Sequence, residues 1–308
     1  MTDSITDETI KAIWRAHGLG AMRRSARAAS GISNACFIVN DDRVIRFNTF
    51  DTTVPKFENE RVAYDLLAGS GLPVPSVIVL DESRQVVPYD FIVLTRLPGA
   101  NLAESWRELA PDQMHDLARE AGKYLARLHA ITLPAFGKLH EQAAPRFRSW
   151  PDYFNDYARR YLNEAARCSL LSDPLRTRLE RVLGRSQSLL ARVTQGVLTH
   201  SDYQYENILQ RAGRLTGILD FEWALSGDPP YDFMSADVRE EQMPGSEAAF
   251  RVGYHSLRSF DAEHERRLAV YRLFLHLETA VMHARRGNSP GVTSALTAMT
   301  HLLETIEE

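Results

Sequence analysis

The chain has 308 residues, of which 44% are hydrophobic, and its 36 Lys and Arg against 40 Asp and Glu give a formal net charge of −4. No run of about eighteen apolar residues and no signal-like start occurs, so neither a membrane partner nor export is expected, and the protein is read as soluble and cytoplasmic. Its arginines are scattered among acids instead of gathered in a basic stripe, which argues against nucleic acid as a partner, and two cysteines, Cys36 and Cys168, build neither a disulfide framework nor a thiolate metal site.

In chain order, the small polar loop Ser30-Gly31-Ile32-Ser33-Asn34 enters two alternating strands, Ala35–Asn40 and Arg43–Phe47, joined across Asp41-Asp42. Phe57–Leu67 reads as a helix with Val62, Ala63, Leu66 and Leu67 on one face, ended by Gly69 and Gly71. Two apolar strands, Val77–Leu80 and Phe91–Thr95, follow, and Thr95-Arg96-Leu97-Pro98-Gly99 carries the Pro/Gly punctuation of a linker. Beyond Gly99 the period becomes helical: Leu117, Ala121, Leu125 and Leu128 form one stripe, and Leu268, Tyr271, Phe274 and Leu275 another. Trp150, Tyr153, Phe154, Tyr157 and Tyr161 are helix-spaced, and core packing is the expectation for most of them. The chain is long enough for two lobes, so the expected division is a β-rich N-terminal lobe, residues 1–97, a hinge near 95–99, and a helical C-terminal lobe, residues 98–308.

The segment His200-Ser201-Asp202-Tyr203-Gln204-Tyr205-Glu206-Asn207, with Asp220 thirteen residues after Asn207, supplies the groups that phosphoryl transfer from a nucleotide requires. Between the anchors, Ile208–Arg211 and Leu215–Leu219 read as strands of a hairpin. With Gly213-Arg214 as its loop, antiparallel pairing sets Asn207 opposite Asp220, with Cβ atoms about 4.5–5.5 Å apart, able to hold one Mg²⁺ through oxygen. Asp202 then faces the acceptor and takes the proton of the attacking hydroxyl. Taken alone, an Asp or Asn beside a hairpin is more often a turn or cap residue. The conjunction with Gly227-Asp228-Pro229-Pro230-Tyr231-Asp232 shifts the balance.

Together these motifs make Leu198–Phe233 resemble the catalytic core of the aminoglycoside phosphotransferase and choline-kinase-like family. The resemblance implies an α+β, two-lobed protein-kinase-like fold and an enzyme that moves the γ-phosphoryl group of ATP or GTP, with Mg²⁺, to a hydroxyl of a small-molecule acceptor. It further implies that Gly31, Ser33 and Asn34 cover the nucleotide phosphates, and that Arg46 stands where the family has a strand-borne lysine or arginine. Glu60, or less readily Glu58, aligns that cation, and the backbone at Thr95 and Leu97 meets the nucleobase edge.

The acceptor is left open between an antibiotic and a metabolite such as an amino alcohol, sugar or amino acid, and oligomeric state leaves no mark. Asp232, Asp237, Glu240, Glu241 and Glu278 are candidates to line the acceptor site, although acids on helices mostly face solvent. His129 is expected to pack at a helix end. The competing reading is a catalytically silent nucleotide-binding protein of the same fold. Ser201 and Glu222 replace glycines of close analogues, and Glu222 adds a charge that could bind a second Mg²⁺ or repel phosphate.

Overall fold

The computed structural model describes residues 5–28, 34–49 and 54–307. Helix α1 (Asp7–Ala16), capped by Thr6, lies against a five-stranded antiparallel sheet of β1 (Ser25–Arg27), β2 (Asn34–Val39), β3 (Arg43–Asn48), β4 (Val77–Asp81) and β5 (Phe91–Thr95), in the order β1-β2-β3-β5-β4. Ile10, Ile13 and Trp14 of α1 meet Val39, Ile45, Phe47 and Val93 in one apolar core. Helix α2 (Lys56–Leu67) connects β3 to β4. Its buried face is Lys56, Phe57, Asn59, Glu60, Ala63, Tyr64 and Leu67, whereas Leu66 is 39% exposed, so the apolar face expected from Val62 and Leu66 is rotated toward polar residues. The reason is that α2 packs partly onto other polar groups: Asn59 donates to the carbonyls of Ala224 (2.8 Å) and Glu222 (3.2 Å) and accepts from the Leu139 N–H (2.8 Å).

After β5 the chain forms β6 (Ala100–Asn101), the short α3 (Leu102–Ser105) and α4 (Pro111–Leu128). It continues through β7 (Thr132–Leu133), β8 (Gly137–Lys138), α5 (Trp150–Arg167), α6 (Asp173–Arg185), α7 (Gln187–Leu190) and β9 (Gly196–Thr199). Then come β10 (Ile208–Arg211), β11 (Arg214–Ile218), β12 (Leu225–Gly227), α8 (Ala236–Gln242), α9 (Glu247–His255), α10 (His264–Arg285) and α11 (Ser289–Glu307). Two small sheets, β11-β10-β6 and β7-β9-β12-β8, carry the loops of the site. Leu117, Ala121, Leu125 and Leu128 of α4 are buried as their spacing predicts, as are Trp150, Tyr153, Phe154 and Tyr157 of α5. The whole is the two-lobed α+β kinase-like architecture, with an antiparallel sheet first and helices after it.

The hairpin departs from its expected register. Its turn is Ala212-Gly213, both at positive φ (52° and 72°), the pair of left-handed residues that a two-residue type I′ turn demands. Arg211 pairs with Arg214 and Gln210 with Leu215, but Leu209 pairs with Gly217, so Thr216 is an extra, bulged residue. Asn207 therefore lies across from Leu219, whose N–H donates to the Asn207 carbonyl at 2.9 Å, and Asp220 stands one residue past the ladder at φ 65°.

Helices α4 and α9 cross at a glycine on each: a Cβ at Gly122 would collide with the Phe250 carbonyl, and one at Gly253 with the Arg119 carbonyl. The obstacle is backbone, which cannot swing aside. In Gly122→Ala, overpacking of about 1–3 kcal/mol should therefore outweigh the ~1 kcal/mol gained in helix propensity. A lower urea midpoint at unchanged slope is the expected result, and a midpoint at or above wild type would show that the crossing tolerates a methyl group.

Candidate active site

Strand β9 delivers His200, Ser201 and Asp202 into a loop held from beneath by Asp232. The Asp232 carboxylate accepts from the His200 N–H (2.9 Å) and the Ser201 N–H (2.5 Å), and His129 Nε2 lies 2.9 Å from it. Asp232 is buried; burial would raise its carboxyl, but the hydrogen bond from His129 and the loop N–H groups hold it below the usual carboxylate range. With both oxygens engaged in this way, Asp232 braces the His200–Asp202 loop and is not free to line an acceptor site. His129, bonded through Nδ1 to the Tyr254 hydroxyl (2.9 Å), belongs to the same brace. Ser201 sits at φ 67°, which explains a preference for glycine there; the Asp232 hydrogen bond stabilises the serine in that conformation.

His200 is buried and burial lowers its pKa, so its ring is neutral. Its Nε2–H donates to the Leu219 carbonyl (2.9 Å), which leaves Nδ1 to accept from the Asp202 N–H (3.3 Å). One neutral imidazole thus ties the Asp202 loop to the strand leading into Asp220. Asn207 completes the tie: its Nδ2 donates to the Asp202 carbonyl (2.9 Å) and to Asp202 Oδ2 (3.1 Å), leaving Oδ1 for another partner. Burial, then the Asp220 charge, push the Asp202 carboxyl up to about 7, while Gln204 and Asn207 pull the other way. A carboxyl at that level changes its protonation state near neutral pH.

Arg46 on β3 forms the other half of the site. Its Nη1 donates to both oxygens of Glu60 at 2.7 Å, and its Nη2 to Asp220 Oδ1 (2.9 Å) and Glu222 Oε2 (3.2 Å). Glu60 is wholly buried; burial pushes its carboxyl up, and Arg46 and the Tyr64 hydroxyl, which donates to it at 2.7 Å, draw it back. Burial opposes the Arg46 charge, yet Asp220, Glu60 and Glu222 outweigh it and hold the guanidinium firmly protonated. Glu58 instead pairs with Arg61 on the outer face of α2, so the pair to Arg46 is Glu60.

Of the loop expected to cover phosphates, Gly31 and Ser33 lie outside the described residues; Asn34 opens β2, and its Nδ2 donates to Glu222 Oε2 at 2.8 Å. Glu222 is therefore held by Arg46 and Asn34. At the linker, the Thr95 N–H already donates to the Ser76 carbonyl (3.0 Å), so the amide of Thr95 is committed within the sheet. Leu97 lines a cavity of about 520 Å³ together with Arg96, Gly99, Gln210 and Arg211.

Other acids weighed as acceptor ligands are already engaged. Asp237 pairs with Arg272, Glu240 accepts from the Gly245 and Glu247 N–H groups, and each oxygen of Glu278 accepts a tyrosine hydroxyl at 2.5 Å, from Tyr157 and Tyr161; Glu241 is exposed. Sequence reasoning missed Lys56, Asn59, Tyr64, Lys138 and Trp223. Tyr64, four residues after Glu60, falls on the same helical face, a spacing that could have flagged it.

Among the described residues no three His, Cys, Asp or Glu side chains converge as a metal cage. Mg²⁺ does not need one, because it is bound by one or two protein oxygens, with phosphate and water filling the rest. The hard oxygens of Asn207 and Asp220 fit that demand.

A profile described as the phosphotransferase enzyme family matches residues 25–271. The chain is 24% identical over 237 residues to acyl-CoA dehydrogenase family member 10 of Mus musculus, covering 72% of this chain and 21% of that protein, so it spans about a fifth of that relative. It is 26% identical over 264 residues to homoserine kinase of Polaromonas naphthalenivorans (strain CJ2), covering 80% of this chain and 76% of that one. The ADP-bound crystal structure of aminoglycoside phosphotransferase APH(2″)-Ib superposes with a TM-score of 0.72 at 18% identity, covering 98% of each chain.

Proposed function

Since this chain belongs to the phosphotransferase enzyme family, we propose that it transfers the γ-phosphoryl group of ATP or GTP to a hydroxyl group of a small molecule. The observation that carries the reading is that two hydrogen-bonded groups meet at the Leu219–Asp220 peptide: Asp202, Asn207, Leu219 and His200 on one side, and Asp220, Arg46 and Glu60 on the other. Each requirement of the reaction has one member of these groups, and the members constrain one another's positions.

In this reading Asp202 accepts a hydrogen bond from the acceptor hydroxyl, aims its oxygen at the γ-phosphorus and takes its proton as the bond forms. Asn207 donates to Asp202 Oδ2 and Gln204 to Oδ1, which fixes the carboxylate and leaves each oxygen a further lone pair for the acceptor hydroxyl. Arg46 offers phosphate a planar fork of donors, and Glu60 keeps that fork oriented. Gly31, Ser33 and Asn34 are assigned to cover the phosphates, and the linker about residues 95–99 joins the two lobes and receives the nucleobase through Leu97 and the Thr95 carbonyl. Asn207 and Asp220 would hold Mg²⁺, which would supply charge neutralisation for the transferring phosphate. For this, Arg46 exchanges Asp220 for a phosphate oxygen. No helix among the described residues is long and apolar enough to cross a membrane, and a cytoplasmic location with access to nucleotide and acceptor fits the reaction.

Asn207→Ala and Asp220→Asn are expected to abolish the part of nucleotide affinity that depends on Mg²⁺. The expected loss exceeds the roughly 10–100-fold that removal of an outer-shell metal partner costs, while affinity measured in EDTA stays near wild type. Calorimetric titration with and without Mg²⁺ reads both numbers. Retention of the Mg²⁺ increment in either variant removes that side chain from the metal site.

A further inference from the structure

Next to Glu222, which Arg46 and Asn34 hold, stand residues to which the reading above gives no part. Trp223 follows Glu222 directly and leaves 37% of its surface exposed. Two lysines flank its ring. Lys138 Nζ, on β8, lies 4.9 Å from the ring centroid and donates to the Trp223 carbonyl at 2.9 Å; Lys56 Nζ, at the start of α2, lies 5.6 Å from the same ring. Lys138 arrives there because β8 pairs with β12, setting Lys138 opposite Leu225, two residues after Trp223.

These cations are short of partners. An ammonium carries three donors, and Lys138 spends one on a carbonyl and makes no ion pair among the described residues. Lys56 Nζ is buried without a hydrogen-bond partner among the described residues, its nearest carboxylate oxygen being Glu222 Oε1 at 4.0 Å. Burial lowers the Lys138 ammonium to about 8, with Glu278, Arg160, Glu222 and Glu141 also in its field. A partly desolvated ammonium with spare donors gains more from an anion than a hydrated surface lysine does. The nearby Glu278 has both oxygens engaged by tyrosine hydroxyls, and Arg160 stacks at 5.0 Å from the ring of Tyr161 beside it.

We infer that the acceptor carries an anionic group, a carboxylate or a phosphate, which Lys138 receives beside the face of Trp223 while the acceptor hydroxyl points to Asp202. This rests on the phosphotransferase reading and narrows its substrate class: a hydroxylated acid is favoured over a polycationic amino sugar. Lys138 is then a specificity-determining residue and does not take part in the chemistry.

The test is a panel of hydroxylated acceptors with Mg²⁺ and ATP or GTP: 4-hydroxybutyrate, D-glycerate and glycerol phosphate as anions, the amides of the two carboxylic acids as uncharged partners, and choline and kanamycin as cations. An anionic member is expected to exceed its uncharged partner at least about tenfold in kcat/KM. Lys138→Met should erase about 10- to 100-fold of that through KM, Lys138→Arg should restore part of it, and nucleotide Kd should not move. Carboxylate and phosphate are told apart by which anions are used. Preference for an amide or a cation, or an unchanged preference in Lys138→Met, overturns the inference. Transfer of phosphate to water that no anionic compound stimulates overturns the inference and leaves phosphoryl transfer standing, whereas no transfer to any acceptor or to water overturns both.

Discussion

Asp202→Asn is expected to lower kcat by about 10²–10⁴, roughly 3–5.5 kcal/mol of barrier, while nucleotide Kd changes little. The substitution keeps the shape of the side chain and removes only its capacity to hold charge and receive a proton. Asn207 donates to Asp202 Oδ2 and to its backbone carbonyl, and the second bond survives the change, so the loop should hold its position. In the proposed reading nucleotide is held by Arg46, aligned by Glu60, and by the metal pair; of these only Asn207 touches Asp202, and its bond to the Asp202 backbone carbonyl is kept. A steady-state measurement with the true acceptor separates the two quantities. Near-normal turnover would mean that the hydroxyl is aimed and deprotonated by some other group.

Arg46→Ala should have the largest effect on the fold of any single change in the site. It leaves Glu60, wholly buried, without its cation, and also strips a partner from Asp220 and Glu222; breaking a buried pair in this way costs about 3–5 kcal/mol. Glu60→Ala removes the same bidentate contact and unpins the guanidinium from Tyr64's neighbourhood. Because both changes break one interaction, the double variant should be little worse than the worse single variant, in urea stability and in kcat/KM alike. Glu58→Ala is the control: Glu58 and Arg61 are both about a third exposed, and a pair of that kind contributes about 0–1 kcal/mol. Additive losses for Arg46 and Glu60 would mean that they do not act as a unit.

Much of this arrangement was legible because it is written in local chemistry. The strands Phe91–Thr95 and Arg43–Phe47 show in their alternation, the stripe Leu117–Leu128 in its helical period, and the pairing of Glu60 with Arg46 in the resemblance to a known catalytic core. The hairpin register was missed by one residue at Asn207: the turn is Ala212-Gly213 and not Gly213-Arg214, which shifts the pairing by two, and the bulge at Thr216, whose hydroxyl donates to the Pro98 carbonyl (2.6 Å), takes one back. Asp232 was misjudged for a related reason. An acid in a short motif reads as available, and only the return of the chain beneath the His200 loop shows both of its oxygens spent on backbone N–H groups. Lys56 and Lys138 left no pattern at all: they meet around Trp223 from two segments about eighty residues apart in the chain, and their lack of partners is a property of packing.

The most direct measurement follows the phosphorus. With ATP or GTP labelled in the γ position, Mg²⁺ and a panel of hydroxylated acceptors, label should leave the nucleotide and appear on an acceptor oxygen, at a rate that collapses in Asp202→Asn. Nucleotide that binds with Mg²⁺ but never yields its γ-phosphate, neither to an acceptor nor to water, would contradict the account and leave a chain that keeps the fold without the chemistry.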